Sequence, residues 1–174
     1  MKKAVLARID PKWHDAIASG EKLVDVHYTM PKLDFPFKVY LCEASKPNTD
    51  DGKVIGEYLC RGIDKFTILG TGVKFRRFRA LYQSRMSLAE MVSFANGRES
   101  VYGWKLSDLK LYSESEPMTK FFEPCNEECE TTCRYLCYDP HDEIPGAGEW
   151  YCGKGDIDSD LKVPEDWCYI EDNG

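Results

Sequence analysis

Between residues 10 and 28 the chain reads DPKWHDAIASGEKLVDVHY, and this stretch concentrates groups that suit nucleotide binding. Lys12 and Lys22 can meet phosphate as point charges. Trp13 and Tyr28 offer flat faces for a base, a stacking interaction of roughly 1–3 kcal/mol per base in single-strand binders. His14 and His27 can hydrogen-bond a base edge. Each has a plainer reading: Trp13 as a core residue, His27 as a solvent-facing imidazole near a strand end. A second set is the run KFRRFR. There Arg76, Arg77 and Arg79 are interleaved with Phe75 and Phe78, as in a strand that buries Phe and turns cations to phosphate. The same composition also guards a sheet edge against unwanted pairing.

The third set is sulfur. Cys125, Cys129, Cys133 and Cys137 recur every four residues, with Cys152 beyond and His141 as a further donor. That spacing puts neighbouring thiols on one helical face. The stripe drifts about 40° per step on a 3.6-residue helix, so two neighbours reach one ion and all four do so only if the helix breaks. The expected cofactor is a structural zinc, held by thiolates with no open position for water. Disulfides and reduced buried thiols are the alternatives. Between Cys125 and Cys152 the only large aliphatics are Leu136 and Ile144, and so small a core usually needs a metal or a disulfide.

The elements that must carry these groups read as follows. Lys2 to Ile9 is a first strand. Asp10 is an N-cap before Pro11, and Trp13 and Ile17 give the Pro11–Ser19 helix an apolar side. Gly20 ends it, and the Val-rich stretch to His27 is a second strand. Phe37 to Ala44 is a strand with Val39 and Leu41 on one face and Tyr40 and Cys42 on the other. A polar loop, SKPNTDDG, joins it to Lys53–Ile63, where Gly56 marks a bulge or a close backbone approach. Met86 to Phe94 reads as a helix capped by Ser87, with Glu90 completing a capping box. Val101 to Tyr112 is the last strand of the main unit. Cys42, Cys60 and Cys168 sit in apolar text and read as core residues.

The helix, Gly20-Glu21-Lys22 and the following strand together resemble the signature of the ASCH domain, a branch of the PUA-like superfamily. Asp25 stands where the family usually has an acid, and His27 stands where it has Arg. Lys38–Leu41, Lys53–Tyr58 and Tyr102–Leu109 follow in the family's order, and Trp167–Ile170 closes the series. The resemblance spans roughly residues 1–120 plus that closing stretch. It implies an α+β fold: a small, mostly antiparallel PUA-like β-barrel with flanking helices, the Pro11–Ser19 helix lying across one opening. Residues 121–160 would form a Cys-rich appendage, and 161–174 would pack back on the barrel. Some ASCH-like proteins are amidohydrolases of modified cytidine that use a Lys, a Thr and a Glu. The Lys maps to Lys22, but the Thr position holds Asp25 and the Glu position falls near Ser84.

The 174 residues carry a net charge of −7, and 43% are hydrophobic, enough for a core and unlike a disordered chain. Residues 61–110 hold ten Lys/Arg against four Asp/Glu, a net of +6, while residues 111–174 hold four against seventeen, a net of −13. Overall acidity therefore does not exclude a nucleic-acid partner, since a local patch attracts phosphate. No apolar run approaches the roughly 20 residues of a membrane helix. The short N-terminal apolar run is no secretory signal, so a cytoplasmic protein is expected.

The leading expectation is a module that binds RNA or a modified nucleotide. Lys12, Trp13, Lys22, Asp25, His27, Arg76, Arg77 and Arg79 would line or flank one positively charged cleft. The alternatives are an amidohydrolase or ribonuclease on the same fold, the catalytic pattern being unmatched, and an acidic, phage-related module that docks a protein partner through its C-terminal third.

Overall fold

The computed structural model describes residues 2–44, 52–75, 78–121, 136–138, 150–152 and 165–172. Strand β1 (Lys2–Ile9) shows how the chain builds its interior. Ala4, Val5, Leu6 and Ala7 are all fully buried. Alternate side chains leave opposite faces of a strand. Val5, Ala7 and Ile9 thus enter one apolar cluster, and Ala4 and Leu6 enter another. Strand β2 (Val24–His27) follows a short helical segment, and β3 (Phe37–Ala44) pairs with β1 in parallel. On β3, Val39 and Leu41 join the first cluster while Tyr40 and Cys42 join the second, as the alternation in the sequence requires.

Two long strands form the backbone of the sheet. β4 (Gly52–Leu69) and β6 (Ser100–Pro117) pair antiparallel. Both run further than the apolar text suggests, because residues beyond Ile63 and Tyr112 are carried by ladder bonds to the partner. Gly56 sits at a register shift in this pairing. A Cβ there would lie 2.5 Å from the Lys110 carbonyl oxygen, which is the close backbone approach the glycine permits. β5 (Gly72–Phe75) folds back on β4. With β9 (Trp167–Asp172) antiparallel to β1, the sheet order is β2-β6-β4-β3-β1-β9, with β5 off that path on β4. The fold is α+β and mostly strand.

The sheet does not close by strand pairing: its path is open between β2 and β9. Side chains join those two ends instead. Asp166, just before β9, takes the Tyr28 backbone N–H at 2.8 Å on Oδ2 and meets His27 Nδ1 at 2.7 Å on Oδ1. The Trp167 indole N–H donates to Thr29 Oγ1 at 2.9 Å. These bonds tie the end of β2 and the segment after it to the start of β9, and the sheet itself stays open where a closed or nearly closed barrel was expected.

The helical pieces are short. A 3-10 turn, Pro11–Trp13, leads into α1 (His14–Ala18). Asp10 caps the turn through Lys12 N–H, and Gly20 follows with φ +73°. α2 (Phe78–Ser84) buries Ala80 and Leu81. This corrects the reading of KFRRFR as one strand: Phe75 ends β5, Phe78 opens a helix, and Arg76 and Arg77 lie outside the described residues. α3 (Leu88–Ala95) has both bonds of the expected Ser87–Glu90 capping box and ends on Asn96 at φ +45°.

β7 (Leu136–Tyr138) and β8 (Trp150–Cys152) pair antiparallel as a separate two-stranded sheet, with Leu136 opposite Cys152. Cys137 therefore lies on a strand, not on the helical face that the cysteine spacing suggested. Cys125, Cys129, Cys133 and His141 lie outside the described residues.

Candidate functional site

β2 is buried along its whole length. Asp25 and His27 are two residues apart on it, so both point to one side. Val26 points the other way, into a third apolar cluster with Phe66 and Met91. On the Asp25 side the chain assembles a buried ion cluster. Lys22, 1% exposed, reaches the Val24 and Ser84 carbonyls at 3.0 Å each and Asp25 Oδ1 at 3.4 Å. An ammonium has three donors, and all three face acceptors. The Lys22 ammonium also sits 4.7 Å from the Trp13 ring centre, a cation–π distance. It is fixed in place and not offered to phosphate.

His27, also 1% exposed, lies between two carboxylates, 2.7 Å from Asp166 and 3.1 Å from Asp25 Oδ2. The first contact is a hydrogen bond. The second is an ionic contact, since neither His27 Nε2 nor Asp25 Oδ2 makes an aligned hydrogen bond. The Trp104 ring packs 4.1 Å from the imidazole. Burial alone would lower the His27 pKa, but Asp166 and Asp25 together overcome it and raise it to about 9. Burial would likewise raise Asp25, yet His27 and Lys22 hold it down at about 2. For Lys22 burial prevails over Asp25, and its pKa falls. At neutral pH the carboxylate and the imidazolium are both ionised.

Over this cluster lies a cleft of about 780 Å³, within the usual size of ligand sites. Trp13, Tyr28 and Phe94 supply aromatic surface to it. Lys12 reaches over the Trp13 ring at 4.9 Å. Tyr28 is stacked on Phe94 at 4.5 Å, with the Arg98 guanidinium 3.9 Å from the Tyr28 ring centre. The charged lining comprises Arg8, Lys12 and Lys22 against Asp10, Asp25, Glu90, Glu165 and Asp166. Among the described residues the lining thus holds three cations against five carboxylates, and Arg76 and Arg77 of the expected positively charged groove lie outside those residues.

Of the expected site residues, the fold brings Lys12, Trp13, Lys22 and Asp25 to this cleft, with His27 directly beneath. Arg79 is exposed on α2 and is not part of the lining. His14 contacts Glu43 at 3.3 Å beside a separate hollow. Asp166, Glu165, Arg8 and Glu90 carry no local signal of a site. Only the closing motif directly after Asp166 could have drawn attention to it.

The three positions mapped from the amidohydrolase pattern do converge, through Lys22, Asp25 and Ser84. The chemistry does not follow. The Ser84 hydroxyl donates to the Leu81 carbonyl at 2.7 Å and accepts from Met86 N–H, and Asp25 has no hydroxyl to attack with. His27 has a carboxylate at each ring nitrogen and is closed to substrate. Among the described residues no group of three His, Cys, Asp or Glu converges as a metal site.

No protein-family model and no curated protein matches the chain. Among solved structures the chain is similar, over part of its length, to an ASCH protein. The crystal structure of ASCH from Zymomonas mobilis is 17% identical, covers 62% of this chain and 69% of its own, and superposes with TM-score 0.47. A tyrosine-to-phenylalanine mutant of the same protein gives 16% identity, coverage of 67% and 77%, and TM-score 0.49. These neighbours bear the family name read from Gly20-Glu21-Lys22. Among the described residues no helix is long and apolar enough to cross a membrane.

Proposed function

We propose that the chain is a PUA-like nucleic-acid-binding module that takes a single base, from RNA or a free modified nucleotide, into the Trp13 cleft. The observation that carries this reading is the Trp13 wall, with mobile-length Lys12 above it and a fixed, buried ion cluster below. A base stacks on Trp13 while Lys12 and Arg8 at the rim meet its phosphate. The fixed floor needs no rearrangement on binding, which lowers the ordering cost.

The test is a titration of short single-stranded RNA and of nucleotides, followed by calorimetry. Trp13→Ala is expected to weaken binding by roughly 1–3 kcal/mol, the value of one stacked base. Lys12→Ala is expected to weaken binding of every sequence alike and to lower the salt dependence by about one counterion. Binding that survives both substitutions unchanged removes the cleft from the interaction.

A further inference from the structure

Pro11 is a wall shared by two hollows. On one side lies the Trp13 cleft, and on the other a hollow of about 490 Å³. The second also falls within the roughly 300–1,000 Å³ of ligand sites. Besides Pro11, its apolar surface comes from Ile55, Leu111 and Tyr112, and its charged groups are His14, Glu43 and Lys53. Both Glu43 oxygens face His14 Nδ1, at 3.3 and 3.4 Å, so that carboxylate is engaged. Lys53 stands opposite Glu43 in the β3–β4 ladder; it is exposed and forms no ion pair among the described residues. The Tyr112 hydroxyl donates to Glu57 at 2.7 Å. The hollow thus joins apolar surface to one unpaired cation. A nucleotide asks for that combination, carbon contact for its base and an ammonium for its phosphate. The Trp13 cleft has the same makeup, with Lys12 as its exposed cation. Pro11 is exposed, so a ligand passing between the two hollows crosses a single residue.

Resting on the base-binding reading above, we infer that the chain takes a single strand of consecutive nucleotides and not a free nucleotide. One base lies in the Trp13 cleft and the next in the His14 hollow. The strand crosses Pro11, with Lys12 on one side and Lys53 on the other to meet its phosphates. Joining two weak subsites by one short connection raises affinity without any new contact, because the second contact becomes intramolecular.

The experiment is a length series, measured by calorimetry on the full chain. Uridine and adenosine 5′-monophosphates are compared with the di- and tetranucleotides of the same base, for wild type, Lys53→Ala and Lys65→Ala. Lys65 is equally an exposed lysine on β4 and lines neither hollow. The oligomers are expected to bind at least about tenfold tighter than the monophosphate, below the roughly 10²–10⁴ of well-matched linked sites. Lys53→Ala is expected to cut that gain and to lower the salt slope for oligomers by about one counterion. It should leave the monophosphate unchanged, and Lys65→Ala should change neither. Equal affinity for monophosphate and oligomers overturns the second subsite and leaves the base cleft standing. So does a gain with length that Lys53→Ala spares, or that both substitutions reduce alike, since general charge attraction then accounts for it. No binding by any member overturns the base cleft itself, and this inference with it.

Discussion

Replacing Asp166 with Ala tests the buried ion cluster most directly. The carboxylate holds the His27 imidazolium at 2.7 Å and the Tyr28 backbone N–H at 2.8 Å. Its loss leaves a cation that is 1% exposed with Asp25 as its remaining counter-charge, and it frees a backbone donor. Breaking a buried pair from one side costs about 3–5 kcal/mol, and that is the loss expected in urea unfolding near pH 6. The pH dependence follows from the sign of the His27 shift. Its folded pKa of about 9 lies above the ordinary 6.5. The stabilisation is therefore complete below about pH 6.5 and is lost as pH rises through about 9, an effect of roughly 3 kcal/mol. Asp25, with its folded pKa held at about 2, contributes above the ordinary carboxylate range and loses its contribution as pH falls through that value. The gap between wild type and Asp166→Ala should thus be widest near pH 6 and narrow at about pH 10. A gap below about 1 kcal/mol at pH 6, typical of an exposed pair, would refute the reasoning. So would a gap that is the same at both pH values.

Two further predictions concern other parts of the chain. Gly56→Ala places a Cβ 2.5 Å from the Lys110 carbonyl oxygen, so β4 and β6 must part; a loss of about 1–3 kcal/mol is expected, read as a lower urea midpoint at unchanged slope. For the cysteine-rich segment we propose a structural zinc: elemental analysis should find about one zinc per chain, with thiols that become reactive on chelation. Metal-free protein with independently reactive thiols refutes it, and metal-free protein without free thiols assigns disulfides.

Local rules made several elements legible. The cap of α3 needs only Ser87 and Glu90 three residues apart, because both bonds form within one helical turn. The alternation along β3 needs only the two-residue period of a strand. Gly56 announced its bulge because no other residue lets two backbones approach so closely. α2 was hidden for the same kind of reason: Phe and Arg in KFRRFR mimic a strand period, and what makes residues 78–84 helical is the burial of Ala80 and Leu81 against Phe66 and Met91, which no local pattern records.

The sequence by itself determined that Lys22, Asp25 and His27 would lie close together, since they share six residues at the edge of one strand. It marked Trp13 as part of the same unit. Only the tertiary structure decided what they do. Asp166 is 139 positions from His27, and its arrival turns an imidazole that reads as a solvent-facing group into a buried cation between two carboxylates. The Ser84 carbonyl, 62 positions from Lys22, likewise turns a phosphate-binding candidate into a fixed structural ion. Charge is a property of composition and can be counted along a chain. Whether a charge is free or paired depends on which distant residue the fold sets within about 3 Å of it, where Coulomb energy in a low-dielectric interior exceeds anything set by sequence neighbours.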